Sequence, residues 1–232
     1  NTLIMHIQAY LCGKGEYDPA AEQSFAPALC NRIDRNTGGM VIAAKDAAAL
    51  RDMNEVIRED WLSKFYLCLV HGRVEREKAT LHGYLRKDSA KNMVEVRDKD
   101  FPGAKEIITK YRVLGERREG KDIVSLLEVE LVTGRTHQIR AHMAHIGHPL
   151  VGDGKYGVNR DDKRSGYKFQ ALYAYRLRFD LPEDAGSLNY LRGREFVIPP
   201  ADIWFTKGFD LKGKGVPKWD APPSKPNGGQ DA

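Results

Sequence analysis

Between residues 64 and 132 the sequence consists almost entirely of short apolar runs separated by polar turns, and this pattern restricts the fold more than any other feature. Short runs rich in β-branched and aromatic residues are typical of β-strands. Because few helical patterns separate them, neighbouring strands are expected to pair directly and antiparallel. We therefore predict an α+β domain on a largely antiparallel sheet. The runs span residues 65–70, 79–85, 93–96, 107–114 and 123–132.

Helical patterns lie on both sides of this region. Apolar residues recur at helical spacing in residues 2–11. Asp46 is a suitable N-cap for a helix that continues to about residue 60. A short helix is predicted from about residue 137 to Gly147, with Pro149 just beyond it. The remaining predicted elements are a buried strand over residues 40–44, strands over 171–179 and 195–198, and a last short helix.

The composition of the chain changes near its end. From Lys212 onward the sequence is rich in Pro, Gly and Lys, which cannot build a hydrophobic core. We predict one folded domain over residues 1–210 and a flexible tail over residues 211–232.

In the predicted strand over residues 123–132, Glu128 and Glu130 fall on one side and Leu127, Val129 and Leu131 on the other.

The net charge of +5 and the sequence pI of about 9.0 suit a polyanionic partner, because lysine and arginine release counterions from phosphates. Charge alone does not decide this, since many basic proteins bind no nucleic acid. No apolar run approaches the roughly 20 residues of a membrane-spanning helix. We predict a cytoplasmic monomer without a membrane partner. Its three cysteines (Cys12, Cys30 and Cys68) are expected to be buried free thiols.

The first candidate for chemistry is Asp34, in the segment Asn31-Arg32-Ile33-Asp34-Arg35-Asn36-Thr37-Gly38-Gly39. This aspartate lies between two arginines, at a predicted turn that follows an extended segment. Nearby positive charge favours the ionised carboxylate, and the glycines allow a substrate to approach the backbone closely. On spacing alone, an ordinary turn aspartate that binds local amides is the favoured interpretation.

The second candidate is the segment Thr133-Gly134-Arg135-Thr136-His137-Gln138-Ile139-Arg140-Ala141-His142-Met143. Two guanidiniums at the start of a helix suit a phosphate or a carboxylate, although a basic solvated helix face fits as well. The histidines at 137, 142, 145 and 148 lack a motif such as His-Glu-x-x-His, so we expect no metal site. A third candidate, Tyr66, matters only if it faces the same cleft as Asp34.

Three segments of the chain resemble the RluA-type pseudouridine synthases, which modify uridines in ribosomal and transfer RNA. The segment from Asn31 to Gly39 resembles the family signature His-Arg-Leu-Asp-x-x-Thr-Ser-Gly, and Lys64-Phe65-Tyr66-Leu67 resembles the second motif. The third motif is matched almost throughout from Leu131 to Gly157, including His-Pro-Leu-Val-Gly-Asp-Gly-Lys-Tyr-Gly. The three segments occur in the family's order. The resemblance implies a mixed, mostly antiparallel central sheet with flanking helices and a central cleft.

The resemblance also implies roles for individual residues. Asp34 matches the catalytic aspartate, and Tyr66 matches the tyrosine that stacks on uracil and is proposed to move a proton. Arg135 matches the arginine that pairs with the catalytic carboxylate, and Arg32 matches the arginine that fills the space left by the target base. We predict Asp34, Tyr66 and Arg135 as catalytic residues. The predicted RNA-binding residues are Arg32, Arg35, Thr37, His137, Gln138, Arg140 and Lys155.

The sequence departs from the family at Asn31, where histidine is usual, and at Gly38, where serine is usual. The family's opening Lys-Pro-x-Gly strand and its S4-type RNA-binding domain are not matched in these residues. The implied reaction is redox-neutral, so we expect no cofactor and no metal, and the partner is expected to be RNA, with the large ribosomal subunit favoured. Two alternatives stay open: a non-catalytic RNA-binding or ribosome-assembly protein, and a metal- or carboxylate-dependent hydrolase of RNA.

Overall fold

The computed structural model of the chain describes residues 2–21, 24–88, 90, 92–157, 162 and 165–211. These residues contain the helices α1 (Leu3–Gly13), α2 (Ala47–Arg58) and α3 (Gln138–His145), and the short 3-10 helices Gly186–Leu191 and Pro200–Asp202. The strands are β1 (Ala28–Leu29), β2 (Gly38–Gly39), β3 (Ala43–Ala44), β4 (Leu62–His71), β5 (Lys78–Asp88), β6 (Met93–Arg97), β7 (Lys105–Glu119), β8 (Asp122–Leu131), β9 (Leu172–Phe179) and β10 (Glu195–Val197).

Within the described residues, eight strands form one sheet in the order β10-β9-β4-β8-β7-β5-β6, with β2 beside β9. The short strand β2 runs parallel to β9, whereas the other neighbours in this sheet pair antiparallel. A second, two-stranded sheet joins β1 to β3. The prediction of an α+β fold with a mixed, mostly antiparallel central sheet is confirmed.

Strand β4 lies at the centre of the sheet and is buried on both faces, which explains its continuous apolar sequence. One face of β4 packs against residues that include Ile203 and Phe205 near the C-terminal end of the domain. The other face packs against Ile139 and Met143 of α3. Residues of α3 and of the strand that carries Tyr66 thus share one buried cluster, which brings the second and third sequence motifs together.

Helix α2 begins where the sequence predicts, since the side chain of Asp46 accepts a hydrogen bond from the backbone N–H of Ala49 at 2.8 Å. Its most buried residues are Met53 and Val56. Helix α3 begins differently. Its N-cap, His137, has a left-handed backbone (φ 54°, ψ 20°), and its side chain makes no capping hydrogen bond.

Strand β8 departs from the simple alternation that the sequence suggests, because Glu128 is fully buried. Its carboxylate accepts hydrogen bonds from Arg112 (2.6 Å), Arg176 (2.8 Å) and the hydroxyl of Tyr175. Cationic neighbours make this burial tolerable, since an unpaired carboxylate in such a place would be costly. The acidic side of this strand is therefore an interior ion-pair network.

Some local predictions are wrong. Residues 40–44 do not form one buried strand, because the backbone pairs only at Gly38–Gly39 and Ala43–Ala44. Cys12 is exposed, although the sequence predicts a buried thiol, while Cys30 is partly buried and Cys68 is buried. The predicted last short helix is present, as the three-residue 3-10 helix Pro200–Asp202. Residues 212–232, where a flexible tail is predicted, lie outside the described residues.

Candidate active site

The three sequence motifs meet around one cavity of about 290 Å³, which we call the cleft. The loop around Asp34 forms one side, residues 134–139 form another, and Tyr66 of β4 contributes a wall. The expectation that Tyr66 faces the same cleft as Asp34 is therefore confirmed. Lys64 also lines the cleft, because residues two apart on a strand point to the same face. Burial lowers the pKa of Lys64, although the charge of Asp60 opposes this effect.

The loop that carries Asp34 is held by hydrogen bonds to residues outside it. Asn31, at the position where the resembled family has histidine, accepts a hydrogen bond at its Oδ1 from the N–H of Ile42 at 2.8 Å. The amide of Gln170 donates to the carbonyl of Arg35 at 2.7 Å and to the hydroxyl of Thr37 at 3.3 Å. These contacts fix both ends of the loop, so the asparagine is compatible with a well-defined position for Asp34.

Two glycines allow this loop to lie directly against strand β9. Gly39 has φ 111°, and a Cβ atom at this position would lie 2.1 Å from the carbonyl oxygen of Ala174. No side chain can be accommodated there without moving the backbone. At Gly38, where serine is usual in the resembled family, an added Cβ would lie 2.6 Å from the ring of Tyr173. The ring of Tyr173 therefore occupies the space that a side chain at position 38 would need.

The arginine that pairs with Asp34 is Arg140, and the prediction that Arg135 makes this contact is wrong. Arg140 Nη1 lies 3.5 Å from Asp34 Oδ2, whereas the guanidinium of Arg135 is exposed and makes no hydrogen bond or ion pair among the described residues. Arg140 lies inside α3 and is directed into the domain, while Arg135 precedes the helix. The sequence predicts that Arg140 binds RNA, but in the structure this arginine forms ion pairs inside the domain.

Asp153 holds Arg140 in place. Its two carboxylate oxygens accept hydrogen bonds from Arg140 Nε at 2.7 Å and Nη2 at 2.9 Å. The side chain of Asp153 is fully buried and that of Arg140 is 8% exposed. Burial opposes ionisation of Asp153, but Arg140 and the backbone amides of Lys155 and Tyr156 outweigh it and hold the pKa of this carboxyl below its usual value. The bidentate pair leaves one nitrogen of the guanidinium for Asp34.

Sequence reasoning did not single out Asp153. Its only signal was its place in the segment His-Pro-Leu-Val-Gly-Asp-Gly-Lys-Tyr-Gly, within the third motif. Arg140 makes two short contacts with Asp153 and one longer contact with Asp34, and we call this the unequal ion-pair arrangement. Asp34 is aimed by a cation yet keeps most of its hydrogen-bonding capacity free, and its side chain is 21% exposed.

Gln138 is an internal brace, so the structure does not support a direct contact with RNA. Its amide nitrogen donates to the carbonyl of Ile108 at 3.1 Å and to the hydroxyl of Thr109 at 3.0 Å. Its amide oxygen accepts hydrogen bonds from the Thr133 hydroxyl and the Arg135 N–H, both at 3.0 Å. All the usual partners of this amide are thereby satisfied. The network fastens the start of α3 to strand β7.

Tyr66 is 7% exposed, and its environment makes the phenolate form unfavourable. Burial, followed by the negative charge of Asp34, raises the pKa of Tyr66 to about 12. At neutral pH the side chain is therefore a phenol, with only a minute fraction ionised. Tyr66 offers the cleft an aromatic face and a hydroxyl group.

His137 lines the cleft between the Asp34 loop and α3. Its Nδ1 lies 2.8 Å from the hydroxyl of Tyr156, which in turn accepts a hydrogen bond from the N–H of Val94 at 3.0 Å. The imidazole also meets the ring of Tyr156 edge-on, with the centroids 5.7 Å apart. Among the described residues, Nε2 of His137 has no hydrogen-bond partner.

The other histidines of this region are in contact with protein groups. His142 is buried, with Nδ1 3.0 Å from the hydroxyl of Thr109, and burial is the main reason that its pKa is lowered to about 4. His145 pairs with Asp98 at 2.8 Å, and His148 contacts the carbonyl of His71 at 3.0 Å. No cluster of three or more metal-ligating side chains occurs in the part of the chain that the structure describes.

The predicted RNA-binding residues fall into two groups. Arg32 and Arg35 are exposed, and Arg32 lines the cleft together with Arg135, which is exposed but was predicted as a catalytic residue. Lys155 is partly buried and donates a hydrogen bond to the carbonyl of Asn92. Thr37 is buried within the loop. The lysine and arginines at positions 160, 163 and 164, whose charge would suit RNA phosphates, lie outside the described residues.

Over the described ranges, no helix has the length and apolar character needed to cross a membrane.

Comparison with known proteins connects the cleft to a family. A family model described as RNA pseudouridylate synthase matches residues 6–145. A Mycoplasma genitalium protein described as an uncharacterised RNA pseudouridine synthase is 39% identical over 183 residues, which are 77% of this chain and 53% of that protein. The ribosomal large subunit pseudouridine synthase C of Vibrio cholerae is 34% identical over 164 residues, which are 69% of this chain and 50% of that protein. The chain thus spans about half the length of these relatives.

A solved structure gives the same family resemblance. The structure of human RNA Pseudouridylate Synthase Domain Containing 1 matches with a TM-score of 0.62 and 25% sequence identity. The match covers 75% of this chain and 71% of the human chain. The similarity therefore extends to the fold as well as to the sequence motifs.

Proposed function

Since this chain belongs to the RNA pseudouridylate synthase family, we propose that it converts uridine to pseudouridine in RNA, with Asp34 as the catalytic carboxylate. The observation that carries the proposal is the unequal ion-pair arrangement in the cleft. Arg140 is fixed by Asp153 through two short hydrogen bonds and reaches Asp34 through one contact of 3.5 Å. A carboxylate held in this way is oriented but free to react.

The reaction moves the uracil ring from an N1–C1′ bond to a C5–C1′ bond. The target nucleotide has to leave the base stack before its atoms can reach Asp34, because a stacked base hides them. Arg32 is exposed at the edge of the cleft and is suited to occupy the space that the base leaves. The aromatic face of Tyr66 forms a wall against which the uracil can stack.

Asp34 then acts while the glycosidic bond is broken. It attacks C1′ of the sugar or C6 of the base, or it stabilises the positive charge that develops on the sugar as the base detaches. Arg140 keeps the carboxylate aimed during this step. Since the product is an isomer of the substrate, the reaction consumes no cofactor and we propose none.

We also propose that exposed arginines around the cleft bind the phosphates of the RNA. Arg32, Arg35 and Arg135 are free to do so, and the net charge of +5 favours association with a polyanion. A large-subunit ribosomal RNA is the favoured substrate, because the similar Vibrio cholerae protein is named for that subunit. A monomer located in the cytoplasm remains a prediction from sequence.

A tritium-release assay tests the function. RNA transcribed with C5-tritiated uridine is incubated with the protein in the presence of a metal chelator. We expect release by the wild type and none by Asp34→Asn, with Asp98→Asn as a control because Asp98 is an exposed carboxylate away from the cleft. Equal release by Asp34→Asn would contradict the role of Asp34. Cleavage of the RNA that stops when chelator is added would favour a metal-dependent hydrolase, and RNA binding without release would favour a non-catalytic protein.

A further inference from the structure

The isomerisation leaves one proton transfer for which neither Asp34 nor Tyr66 is well suited. After C5 bonds to C1′, the C5 atom still carries its hydrogen, which has to leave as a proton. By then C5 has displaced Asp34 from C1′, and its carboxylate is back in the ion pair with Arg140. Tyr66 is a phenol at neutral pH, since burial and the neighbouring carboxylate raise its pKa to about 12. A group that is unprotonated at neutral pH is therefore needed in the cleft.

His137 meets this need by position. It lines the same cleft as Asp34 and Tyr66. Its Nδ1 is engaged by the Tyr156 hydroxyl at 2.8 Å, and Nε2 has no partner among the described residues. When Nδ1 carries the hydrogen and donates it to Tyr156, Nε2 presents a lone pair. The backbone N–H of Val94 donates to the Tyr156 hydroxyl at 3.0 Å. Tyr156 is thereby held in place, and its hydroxyl in turn orients the imidazole of His137.

The backbone conformation at His137 does not require a histidine side chain. Left-handed φ angles are uncommon for residues with a side chain, and they cost free energy unless the surroundings impose them. His137 nevertheless has φ 54° at the start of α3, and its side chain makes no capping hydrogen bond. The helix would begin equally well with glycine, which adopts this conformation without strain.

The charges around His137 keep it ready to accept a proton. Burial is the largest influence and lowers the pKa of this imidazole, and the cations Arg140 and Lys155 act in the same direction. The carboxylates Asp34 and Asp153 oppose them. The net lowering keeps His137 neutral at neutral pH, while the nearby carboxylates stabilise the imidazolium when it forms.

We propose that His137, through Nε2, is the catalytic base that removes the C5 proton after the C5–C1′ bond has formed; this inference rests on the proposed function. The electron pair of the C5–H bond restores the C5=C6 double bond, and the N1=C6 electrons return to N1. N1 takes up a proton from water, and the imidazolium releases its proton to solvent. The sum is an isomerisation without any co-reactant.

The test uses His137→Gly in single-turnover reactions, with RNA that carries either uridine or 5-deuterouridine. Glycine keeps the left-handed backbone, so the fold is preserved. We expect the rate of pseudouridine formation to fall about 10²- to 10⁴-fold, the range for loss of a general base. The deuterium isotope effect should rise, because removal of the C5 proton becomes rate-limiting. Added imidazole should restore part of the rate, with a pH dependence that follows the pKa of the added base.

Two controls separate this role from others. His145→Ala removes a histidine of the same helix that faces Asp98 outside the cleft, and it should leave the rate unchanged. Asp34→Asn should not respond to imidazole. ¹⁵N NMR of the free wild type should show the tautomer of His137 that carries its hydrogen on Nδ1.

The proposal is overturned if His137→Gly reacts at nearly the wild-type rate, or if it is slow without a larger isotope effect. A hydrogen on Nε2 in the free wild-type protein would also overturn it. If the wild type itself forms no pseudouridine in any ribosomal RNA, the proposed function fails instead. The two failures are therefore distinguishable.

Discussion

Replacement of Asp153 by asparagine is the most direct test of the ion-pair arrangement behind Asp34. The substitution keeps the shape of the side chain but removes the charge that faces Arg140. In the wild type these groups are 0% and 8% exposed, so solvent screens their interaction little. Removing one partner of such a buried pair costs about 3–5 kcal/mol, because the other charge stays buried without compensation.

The lower end of that range is expected here, since Arg140 keeps its contact with Asp34. A loss of about 3 kcal/mol corresponds to a decrease in Tm of roughly 6–12 °C for a domain of this size. Urea unfolding followed by circular dichroism gives the free energy of unfolding, and a thermal scan gives Tm. Asp98→Asn, which removes an exposed carboxylate paired with His145, is the matched control and should unfold like the wild type.

The stability difference between the wild type and Asp153→Asn should depend on pH. The pKa of Asp153 is lower in the folded protein than in the unfolded chain, so its contribution is present above its ordinary pKa and is lost as the pH falls through the folded value. The stabilities of the wild type and Asp153→Asn should therefore converge in acid, below about pH 4, while both remain folded. A loss below about 1 kcal/mol at neutral pH, as for an exposed pair, would refute the reasoning.

Further predictions concern activity and folding. Asp153→Asn should lower the turnover of pseudouridine formation by about 10²-fold, because Arg140 is no longer aimed, as measured by tritium release. Arg140→Lys should lower turnover as strongly, since lysine lacks the planar fork that binds Asp153, and circular dichroism should show a folded protein. Gly39→Ala should unfold at a distinctly lower temperature than the wild type, because its Cβ would collide with the backbone of β9. The pKa of His142 is about 4 in the folded protein and about 6.5 in the unfolded chain, so unfolding takes up a proton between these pH values. The wild type should therefore lose about 3 kcal/mol of stability as the pH falls from 6.5 to 4. In urea titrations at different pH values, His142→Gln should lack this dependence.

Local sequence patterns were sufficient to predict most of the strands and the helices α1, α2 and α3. Strands and helices have different hydrophobic periods, and a buried central strand such as β4 has a continuous apolar sequence. Three ordered motifs were also enough to indicate that Asp34 and Tyr66 share a cleft. The weak predictions were those in which an apolar run is too short to pair along its length, as over residues 40–44.

What the sequence by itself determined was the set of groups available to the cleft: a carboxylate, a tyrosine, two arginines and a histidine, in three segments. Only the tertiary structure decided which arginine faces Asp34. Arg135 and Arg140 are five residues apart, and the left-handed residue at His137 turns the chain between them, so one guanidinium points outward and the other inward. Spacing cannot show this, because the partners of Arg140 come from positions 13 and 106 residues away. Ion pairs between such distant residues depend on how the sheet and α3 pack, and that packing exists only in the folded chain.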